Sequence, residues 1–259
     1  QLTSRPDQIK VLRQTILNLA VRGKLVEQDP DDEPAADMLD SWIVKKVSGI
    51  PKVRTSKLLD AWSAAKTTLP HDLPESWAWV TAEELCEEIV DCPHSTPKFT
   101  ATGIPCLDTN SVKSAGLLID KIRFVSEDTC VKRNKRLTPQ KGDVVFAREG
   151  SVGETVIVPA GFRCCLGQRV MLFRPGRVVS PEWFKLAISE PSSLLRLMAL
   201  HKGIGARHVN VNDMRLSLQP LPPLAEQHRI VEKVNTVMEL CDKLEAATTA
   251  SAITRARLL

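Results

Sequence analysis

Apolar residues near the start of the chain recur every three or four positions, at Ile9, Leu12, Ile16 and Leu19. This spacing is typical of one face of an α-helix. Asp7 can serve as the N-cap, and Gly23 lies just beyond the last apolar position. The pattern therefore predicts an amphipathic helix over about residues 8–22.

A second helix is expected after the acidic, proline-containing stretch at residues 27–34. Asp32 is suited to cap this helix, with Pro34 in its first turn. Its apolar face would consist of Met38, Leu39, Trp42 and Ile43. Residues 47–73 show a weak pattern, which predicts a linker. A short helical fragment is expected there around Leu58, Leu59 and Trp62.

The pattern changes from Trp77 onward, where short β-rich runs are separated by turn residues. The runs read W-A-W-V, I-P-C-L, L-L-I, I-R-F-V, D-V-V-F-A, T-V-I-V and R-V-M-L-F. They predict a mostly antiparallel β domain. Residues 181–200 are expected to be helical, with Pro191 splitting them into two pieces. A further strand is expected over Met214 to Leu218.

The cleanest periodicity lies near the end of the chain, where five apolar residues step by four and three positions. These residues are Ile230, Val234, Val237, Cys241 and Leu244. Such a seam is typical of a coiled coil and must be buried against another helix. We favour an interhelical spacer or a dimer seam, with the N-terminal helix as one candidate partner. The alternative is that the stripe packs on its own domain.

Charge is distributed unevenly along the 259 residues, although the net charge is only +4. Residues 91–215 hold 19 Lys and Arg against 11 Asp and Glu, whereas the remainder is acidic. A basic middle region suggests a polyanionic partner. The densest basic run is K-R-N-K-R at residues 132–136. It is either a solvated loop or strand edge, or a contact to DNA phosphates.

The cysteines and the ends of the chain indicate the setting of the protein. Seven cysteines without a C-x-x-C pair argue against a disulfide framework or a four-cysteine zinc site and favour a cytoplasmic protein. No apolar run approaches the roughly 18 residues of a membrane span. The chain starts at Gln1 without Met and stops in a helix-like run, so we expect a piece of a longer protein.

Several kinds of catalytic chemistry lack their motifs in this sequence. There is no tyrosine, and no D-P-P-[YFW] or N-P-P-[YFW] loop to hold a flipped adenine. There is no phosphate-binding G-x-x-x-x-G-K-[ST] motif, and the five histidines lack metal-like spacing. Ser151 lies in G-S-V-G rather than in a nucleophile elbow. Cys164 and Cys165 should alternate faces in a strand, with one in the core. We therefore predict a non-catalytic chain without a metal site.

Five segments in order carry a family resemblance. They are L-R-Q-T-I-L-N-L-A-V-R-G-K-L-V (residues 12–26), L-P-E-S-W-A-W-V (73–80), G-I-P-C-L-D-T-N-S-V (103–112), K-G-D-V-V-F-A-R-E-G-S-V-G (141–153) and L-P-P-L-A-E-Q-H-R-I-V-E-K-V (221–234). Together they cover nearly the whole chain. The sequence thereby resembles the DNA-specificity subunits of type I restriction-modification systems, which serve in defence against foreign DNA.

The resemblance implies an α+β architecture, with a mostly antiparallel β target recognition domain, packed helices, and long coiled-coil-like helices at both ends. It implies four parts. These are the end of a central conserved helix (1–26), an acidic segment with a short helix and linker (27–73), the recognition domain (74–222) and a C-terminal spacer helix (223–259). One recognition domain corresponds to the C-terminal half of a specificity subunit, or to a half-subunit that dimerises.

The resemblance also implies function and partners. The chain would read one half of a bipartite site in double-stranded DNA and dock methyltransferase subunits through its helices. Restriction subunits would join through the complex, and AdoMet, ATP and Mg²⁺ would bind to the partner subunits. One alternative is the recognition part of a single-chain methyltransferase-nuclease fusion. Another is a coiled-coil scaffold whose β domain binds protein.

Candidate DNA-contacting residues are polar side chains in expected loops that can pair with base edges or phosphates. Arg suits guanine, and Asn and Gln suit adenine. The candidates are Ser95, Thr96, Lys98, Asn110, Lys113, Arg148, Ser151, Gln168, Arg169, Lys202, Arg207 and His208. Asp108 and Asn110 can equally form an Asx-turn. Gly142, Gly150 and Gly153 are assigned to turns, without a functional role.

Overall fold

The chain was described by a computed structural model that covers residues 6–200 and 208–257, with side chains for 8–200 and 208–250. Three helices precede the β domain: α1 (Pro6–Val21), α2 (Ala35–Val47) and α3 (Lys52–Ala65). The two predicted helices are confirmed. The prediction that Asp32 caps the second helix is wrong. Pro34 occupies the N-cap of α2, and Asp32 instead pairs with Arg229.

Helix α3 replaces much of the linker that was predicted for residues 47–73. Most of its side chains are exposed, so its sequence has little amphipathic periodicity. Trp62 is nevertheless 2% exposed, and its Nε1 donates to Oε2 of Glu83 at 3.2 Å. Short helices draw their stability mainly from tertiary packing, and here a single buried indole provides much of it.

The β domain contains strands and short helices in alternation. Its strands are β1 (Ala78–Thr81), β2 (Cys86–Asp91), β3 (Phe99–Thr100), β4 (Ile104–Leu107), β5 (Val112–Lys113), β6 (Gly116–Leu117), β7 (Arg123–Val125), β8 (Val144–Ala147), β9 (Thr155–Ile157), β10 (Cys165–Leu166), β11 (Val170–Pro175) and β12 (Leu218–Leu221). The helices are α4 (Ala82–Leu85), α5 (Glu127–Arg133), α6 (Pro181–Ser189), α7 (Pro191–Ala199), α8 (Val211–Arg215) and α9 (Leu224–Arg257). Pro191 separates α6 from α7, as predicted.

Two four-stranded sheets form the body of the domain. The main sheet has the order β2-β11-β8-β9 and is antiparallel throughout. The second sheet has the order β10-β4-β7-β3, in which β10 and β4 are parallel. Two-stranded ribbons pair β1 with β12 and β5 with β6. The α+β class with mostly antiparallel pairing is confirmed.

The main sheet is buried on both faces, because its strands alternate between two cores. On β8, Val144 and Phe146 join the core formed with the helices, whereas Val145 joins the core toward the second sheet. Met171 and Leu172 divide in the same way on β11. A strand covered on both faces reads as a continuous apolar run, which is what V-V-F-A and V-M-L-F are.

The strand predicted over Met214 to Leu218 is wrong. Residues 211–215 form the short helix α8, because the side chain of Asn210 accepts a hydrogen bond from the backbone N–H of Asn212 at 2.8 Å. Met214 is fully buried within this helix. The strand begins at Leu218 instead and pairs with β1, so that Pro220 lies opposite Trp79.

Helix α9 runs antiparallel to α1 along the predicted seam. Arg13 of α1 donates to Asp242 at 2.6 Å and to Glu245 at 3.0 Å, whereas Gln28, beyond the end of α1, donates to Glu226 at the start of α9. The seam residues are buried or half-buried and share one core with α1: Ile230, Val234, Val237, Cys241 and Leu244. The partner of the seam is therefore α1 of the same chain.

The first turn of α9 is fastened to the β domain by two buried polar residues. Glu226 accepts from Nε1 of Trp77 at 2.8 Å and from Nε2 of Gln28 at 2.6 Å. Gln227 accepts from the backbone N–H of Ser180 at 2.8 Å and donates to the carbonyl of Val178 at 3.0 Å. The adjacent Glu and Gln of the L-A-E-Q-H-R segment thus fix the angle at which α9 leaves the domain.

Candidate nucleic-acid interface

The predicted DNA-contacting loops converge at one end of the main sheet. Strands β2 and β8 end there, at Asp91 and Ala147, and β11 begins there, at Val170. The residues that follow or precede these strand ends lie side by side because the strands are hydrogen-bonded neighbours. We call this surface the loop end and define it by residues 92–98, 148–154 and 167–169, together with residues 108–113 and His208, which contact the 148–154 loop.

The loop after β2 places several predicted residues at the surface. Ser95, Thr96 and Lys98 are exposed. The hydroxyl of Thr96 donates to Oε1 of Gln168 at 3.2 Å, and Nε2 of Gln168 donates to the carbonyl of His94 at 2.8 Å. Two loops that are far apart in sequence therefore join through the exposed Thr96 and the half-buried Gln168, whose side chains are suited to hydrogen-bond base edges.

Arg148 was predicted to contact DNA, but the structure buries it. Its Nε donates to Oδ1 of Asp91 at 2.9 Å, and its Nη1 lies 3.0 Å from Oε1 of Glu149. Nε2 of His94 lies 3.3 Å from the other carboxylate oxygen of Asp91. Arg148 thus joins its neighbour Glu149 to Asp91 at the end of β2, and it lies beneath the surface rather than at its rim.

Arg169 has the opposite exposure and an unusual backbone. Its side chain is 62% exposed, and its Nε lies 3.6 Å from Oε2 of Glu149. Among the non-glycine residues that the structure describes, Arg169 alone has a positive φ, and its value is 65°. The left-handed backbone conformation is unfavourable for residues other than Gly, Asn and Asp. Backbone strain of this kind often marks functional sites.

A fourth loop, between β4 and β5, joins the same surface. The Nζ of Lys113 donates to Oγ of Ser151 at 3.3 Å, and Asn110 is exposed nearby. The backbone N–H of Asn110 donates to Oδ1 of buried Asp108 at 2.9 Å, which is the Asx-turn considered from sequence. Asp108 also pairs with Arg123, so this turn is held rigidly.

Glycine is required in the turn that carries Ser151. All three glycines assigned to turns, Gly142, Gly150 and Gly153, have positive φ. At Gly153, where φ is 95°, an added Cβ would lie 2.3 Å from Cδ1 of Leu194. A side chain at this position would therefore strain the backbone and would force the side chain of Leu194 in α7 to move.

His208 adds the last described candidate to the loop end. It is exposed and forms an antiparallel bridge with Glu149, and the next backbone N–H, of Val209, donates to the carbonyl of Arg148 at 2.9 Å. Lys202 and Arg207 lie outside the described residues. The predicted DNA-contacting residues that the structure describes thus lie on one surface, except for Arg148, which lies beneath it.

Arg133 belongs to this site, but its role was missed in the sequence. The K-R-N-K-R run was expected to be a loop, a strand edge or a phosphate contact, whereas Lys132 and Arg133 end helix α5. Arg133 is 8% exposed, and its guanidinium donates to backbone carbonyls of both loops that carry Thr96 and Gln168. A basic run has no periodicity that would mark one member as buried.

The cysteines are buried as free thiols. Cys164 and Cys165 alternate faces as predicted, but both are core residues because each face of β10 is covered. Burial raises the pKa of Cys164 to about 12, so the thiol stays protonated at neutral pH. Within the described residues, no group of three or more His, Cys, Asp or Glu is placed to hold a metal ion.

Comparison with known proteins identifies the family. Residues 74–255 match the family model described as the type I restriction modification DNA specificity domain. The chain belongs to this family. The match includes the β domain, the loop end and most of α9, and it confirms the family resemblance; of the five sequence segments, the one at residues 12–26 lies outside the matched region.

Specificity subunits of type I restriction enzymes align with nearly the whole chain. The chain is 24% identical to the EcoAI specificity subunit of Escherichia coli over 242 residues, covering 92% of this chain and 41% of the relative. It is 28% identical to the EcoEI specificity subunit of Escherichia coli over 252 residues, covering 94% of this chain and 41% of the relative. This chain thus spans about two fifths of the length of these relatives.

Solved structures share the fold. One, from a study of complex assembly and conformational transition of the type I R-M system, has a TM-score of 0.55 at 20% identity and covers 97% of this chain and 55% of that chain. The HsdS subunit from Thermoanaerobacter tengcongensis has a TM-score of 0.51 at 22% identity, covering 82% of this chain and 52% of that chain. Among the described helices of this chain, none combines the length and apolarity of a membrane span.

Proposed function

We propose that this chain is the non-catalytic DNA-reading component of a type I restriction-modification complex, and that it recognises one half of a bipartite site in double-stranded DNA. The observation that carries the proposal is the convergence of four loops at one end of the main sheet. These loops are distant in sequence, yet their hydrogen-bonding side chains form one continuous surface.

The exposed residues of the loop end have the chemistry that base reading requires. Arg169 offers a planar guanidinium suited to guanine, and Asn110 an amide suited to adenine. Ser95, Thr96 and Gln168 offer shorter donors and acceptors, and Lys98 offers a charge for phosphate. Lys113, Ser151, His208, Lys202 and Arg207 complete the proposed contact set. Arg148 supports it from below through Asp91.

The antiparallel helices α1 and α9 would dock the methyltransferase subunits. Helix α9 has 34 residues and α1 has 16, so α9 offers a helix surface that α1 is too short to cover. In this proposal the partner subunits carry AdoMet, ATP and Mg²⁺ and perform methylation and cleavage, and restriction subunits join through the complex. The naming of the relatives as specificity subunits favours this arrangement over a single-chain methyltransferase-nuclease.

The test is selection from a random duplex DNA library, using this chain together with its methyltransferase subunit and AdoMet. We expect an enriched motif of a few base pairs. A palindromic split motif would indicate that two copies of the chain pair, whereas a single short motif would indicate half a site. Binding without any enrichment, weakening as salt rises, would overturn the proposal.

A charge-matched pair of variants locates the reading surface. Arg169→Ala removes a charge from the loop end, whereas Arg177→Ala removes an exposed charge beyond the opposite end of β11, where its Nη2 lies 3.2 Å from Oγ of Ser41. We expect Arg169→Ala to lower affinity for the selected site about tenfold and Arg177→Ala to change it less than about twofold. Equal effects would place the DNA elsewhere.

A further inference from the structure

Arg133 lies beneath the loop end and bonds to both of its principal loops. Its Nε donates to the carbonyl of Leu166 at 2.5 Å, and its Nη2 donates to the carbonyl of Gly167 at 2.9 Å. On the other side, Nη1 donates to the carbonyl of Ser95 at 3.0 Å, and Nη2 to that of Pro93 at 3.2 Å. One guanidinium therefore spans residues 93–95 and 166–167.

The chemistry of the guanidinium suits this position. It is planar and rigid, and it carries five N–H donors in a fixed fork. Because the donors cannot rotate independently, four bonds to two loops specify the distance and angle between those loops. All four acceptors are backbone carbonyls, so the arrangement does not depend on which side chains the loops present outward.

Arg133 is itself held firmly. The hydroxyl of Ser126 caps the start of α5, accepting from the backbone N–H of Thr129 at 3.3 Å. At the other end, Nδ2 of Asn134 donates to the carbonyl of Cys164 at 3.0 Å. Cys130, in the middle of α5, is buried among Cys106 and Cys165. Arg133 therefore projects from a fixed helix rather than from a mobile loop.

The bonds of Arg133 differ from the other links between these loops. Gln168 bonds to His94 and Thr96 at the exposed surface, where water competes with each bond. If Gln168 and Thr96 turn to base edges, those links are lost. Arg133 is only 8% exposed, so DNA that contacts the outward side chains of the loops would not compete for its bonds.

We propose that Arg133 is a positioning residue that sets the spacing of loops 92–98 and 167–169 and thereby the sequence discrimination of the protein. This inference rests on the proposed DNA-reading function. Arg133 does not touch DNA in this role. Its neighbours Lys135 and Arg136 are exposed and remain available for phosphate contact.

The test compares Arg133→Lys and Arg133→Met with Arg136→Met in the 259-residue chain with its methyltransferase subunit present. Lys retains the charge but not the planar fork, and Arg136→Met removes the same charge from an exposed position of the same run. We expect both Arg133 variants to reduce the ratio of specific to non-specific affinity about tenfold or more. The salt dependence of non-specific binding should stay unchanged for Arg133→Lys.

A second measurement does not depend on DNA recognition. Amide hydrogen exchange of the unliganded Arg133→Lys chain should rise in peptides covering 92–98 and 165–170 and stay unchanged elsewhere. Unchanged exchange in these peptides would overturn the inference. Because it uses Arg133→Lys, this measurement still tests the inference in the case that Arg133→Met does not fold.

The two proposals fail in different ways. If the unaltered chain enriches no motif, the DNA-reading function fails, and the exchange measurement still judges the positioning role. If the unaltered chain enriches a motif and the Arg133 variants enrich it equally well, the positioning role alone fails. If Arg136→Met lowers the specificity ratio as much as Arg133→Met, charge rather than position accounts for the effect, which also overturns the inference.

Discussion

Arg148 and Asp91 form an ion pair across the loop end, with 2.9 Å between Nε and Oδ1 and side chains that are 9% and 12% exposed. The pair joins the residue after β8 to the last residue of β2, two strands that are separated by β11. An ion pair therefore lies directly beneath the candidate interface, whereas the core of the main sheet below it consists of apolar side chains.

Arg148→Met should destabilise the protein by about 3 kcal/mol or more, because it leaves the carboxylate of Asp91 nearly buried without its partner. Urea denaturation measures the change. Arg177→Met, at an exposed position, should stay within about 0.5 kcal/mol of the unaltered chain. Adding Asp91→Asn to Arg148→Met should recover part of the loss. A loss no larger than that of Arg177→Met would contradict the importance of the pair.

Arg169 should trade stability for function. At its φ of 65°, Arg169→Ala keeps the backbone strain, whereas Arg169→Gly relieves it. We expect the Gly variant to be more stable than the Ala variant by about 1 kcal/mol, as measured by thermal unfolding. Both should lose DNA affinity equally, because both lack the guanidinium. An Ala variant as stable as the Gly variant would show that the strain has no energetic cost.

The seam between α1 and α9 should matter for stability at buried positions. Ile230→Ala should cost about 2–5 kcal/mol, because Ile230 is fully buried and its loss leaves a cavity in the core. Leu240→Ala, at 56% exposure on the same helix, should cost less than about 0.5 kcal/mol. Chemical denaturation followed by circular dichroism compares them. Similar losses would mean that α1 does not cover the seam in solution.

Glu226 should make stability depend on pH. Burial raises its pKa above the ordinary value of 4.5, despite the hydrogen bonds from Trp77 and Gln28. A raised pKa means that folding favours the protonated form. The stabilising contribution is therefore complete below pH 4.5 and is lost as the pH rises through the raised pKa.

Glu226→Gln, which is neutral at every pH, isolates this contribution. Its unfolding free energy relative to the unaltered chain should increase as the pH rises from 4.5 to 7, measured by urea denaturation at each pH. Glu239→Gln, at an exposed position of the same helix, should show no such trend. A flat difference for Glu226→Gln would refute the assignment.

Much of the fold could be predicted because local pattern and tertiary burial agree. The helical period of α1 and α9 is visible in sequence, since each helix buries one narrow stripe. The alternation and turns of the β domain are visible for the same reason. The helical fragment expected around Leu58, Leu59 and Trp62 is confirmed, but the full length of α3 was not predicted. Helix α8, which is held by one Asn cap, was predicted as a strand.

The candidate site was predictable by residue type but not by role. Arg148, Arg169 and Arg133 are all arginines, and they lie in three segments of similar polar character. Nothing local distinguishes the buried ion pair of Arg148 from the exposed guanidinium of Arg169. The difference arises from Asp91 and from the carbonyls of residues 93–95 and 166–167, which lie far away along the chain.

By itself, the sequence determined the α+β class, the antiparallel domain between helices, the seam and the family, because these depend on periodicity and on contiguous segments. The tertiary structure alone decided which helix covers the seam, that four separate loops form one surface, and which arginines face solvent. The physical reason is that hydrophobic period acts over a few residues, whereas the burial and pairing of a charge depend on groups that only the complete fold brings within hydrogen-bond distance.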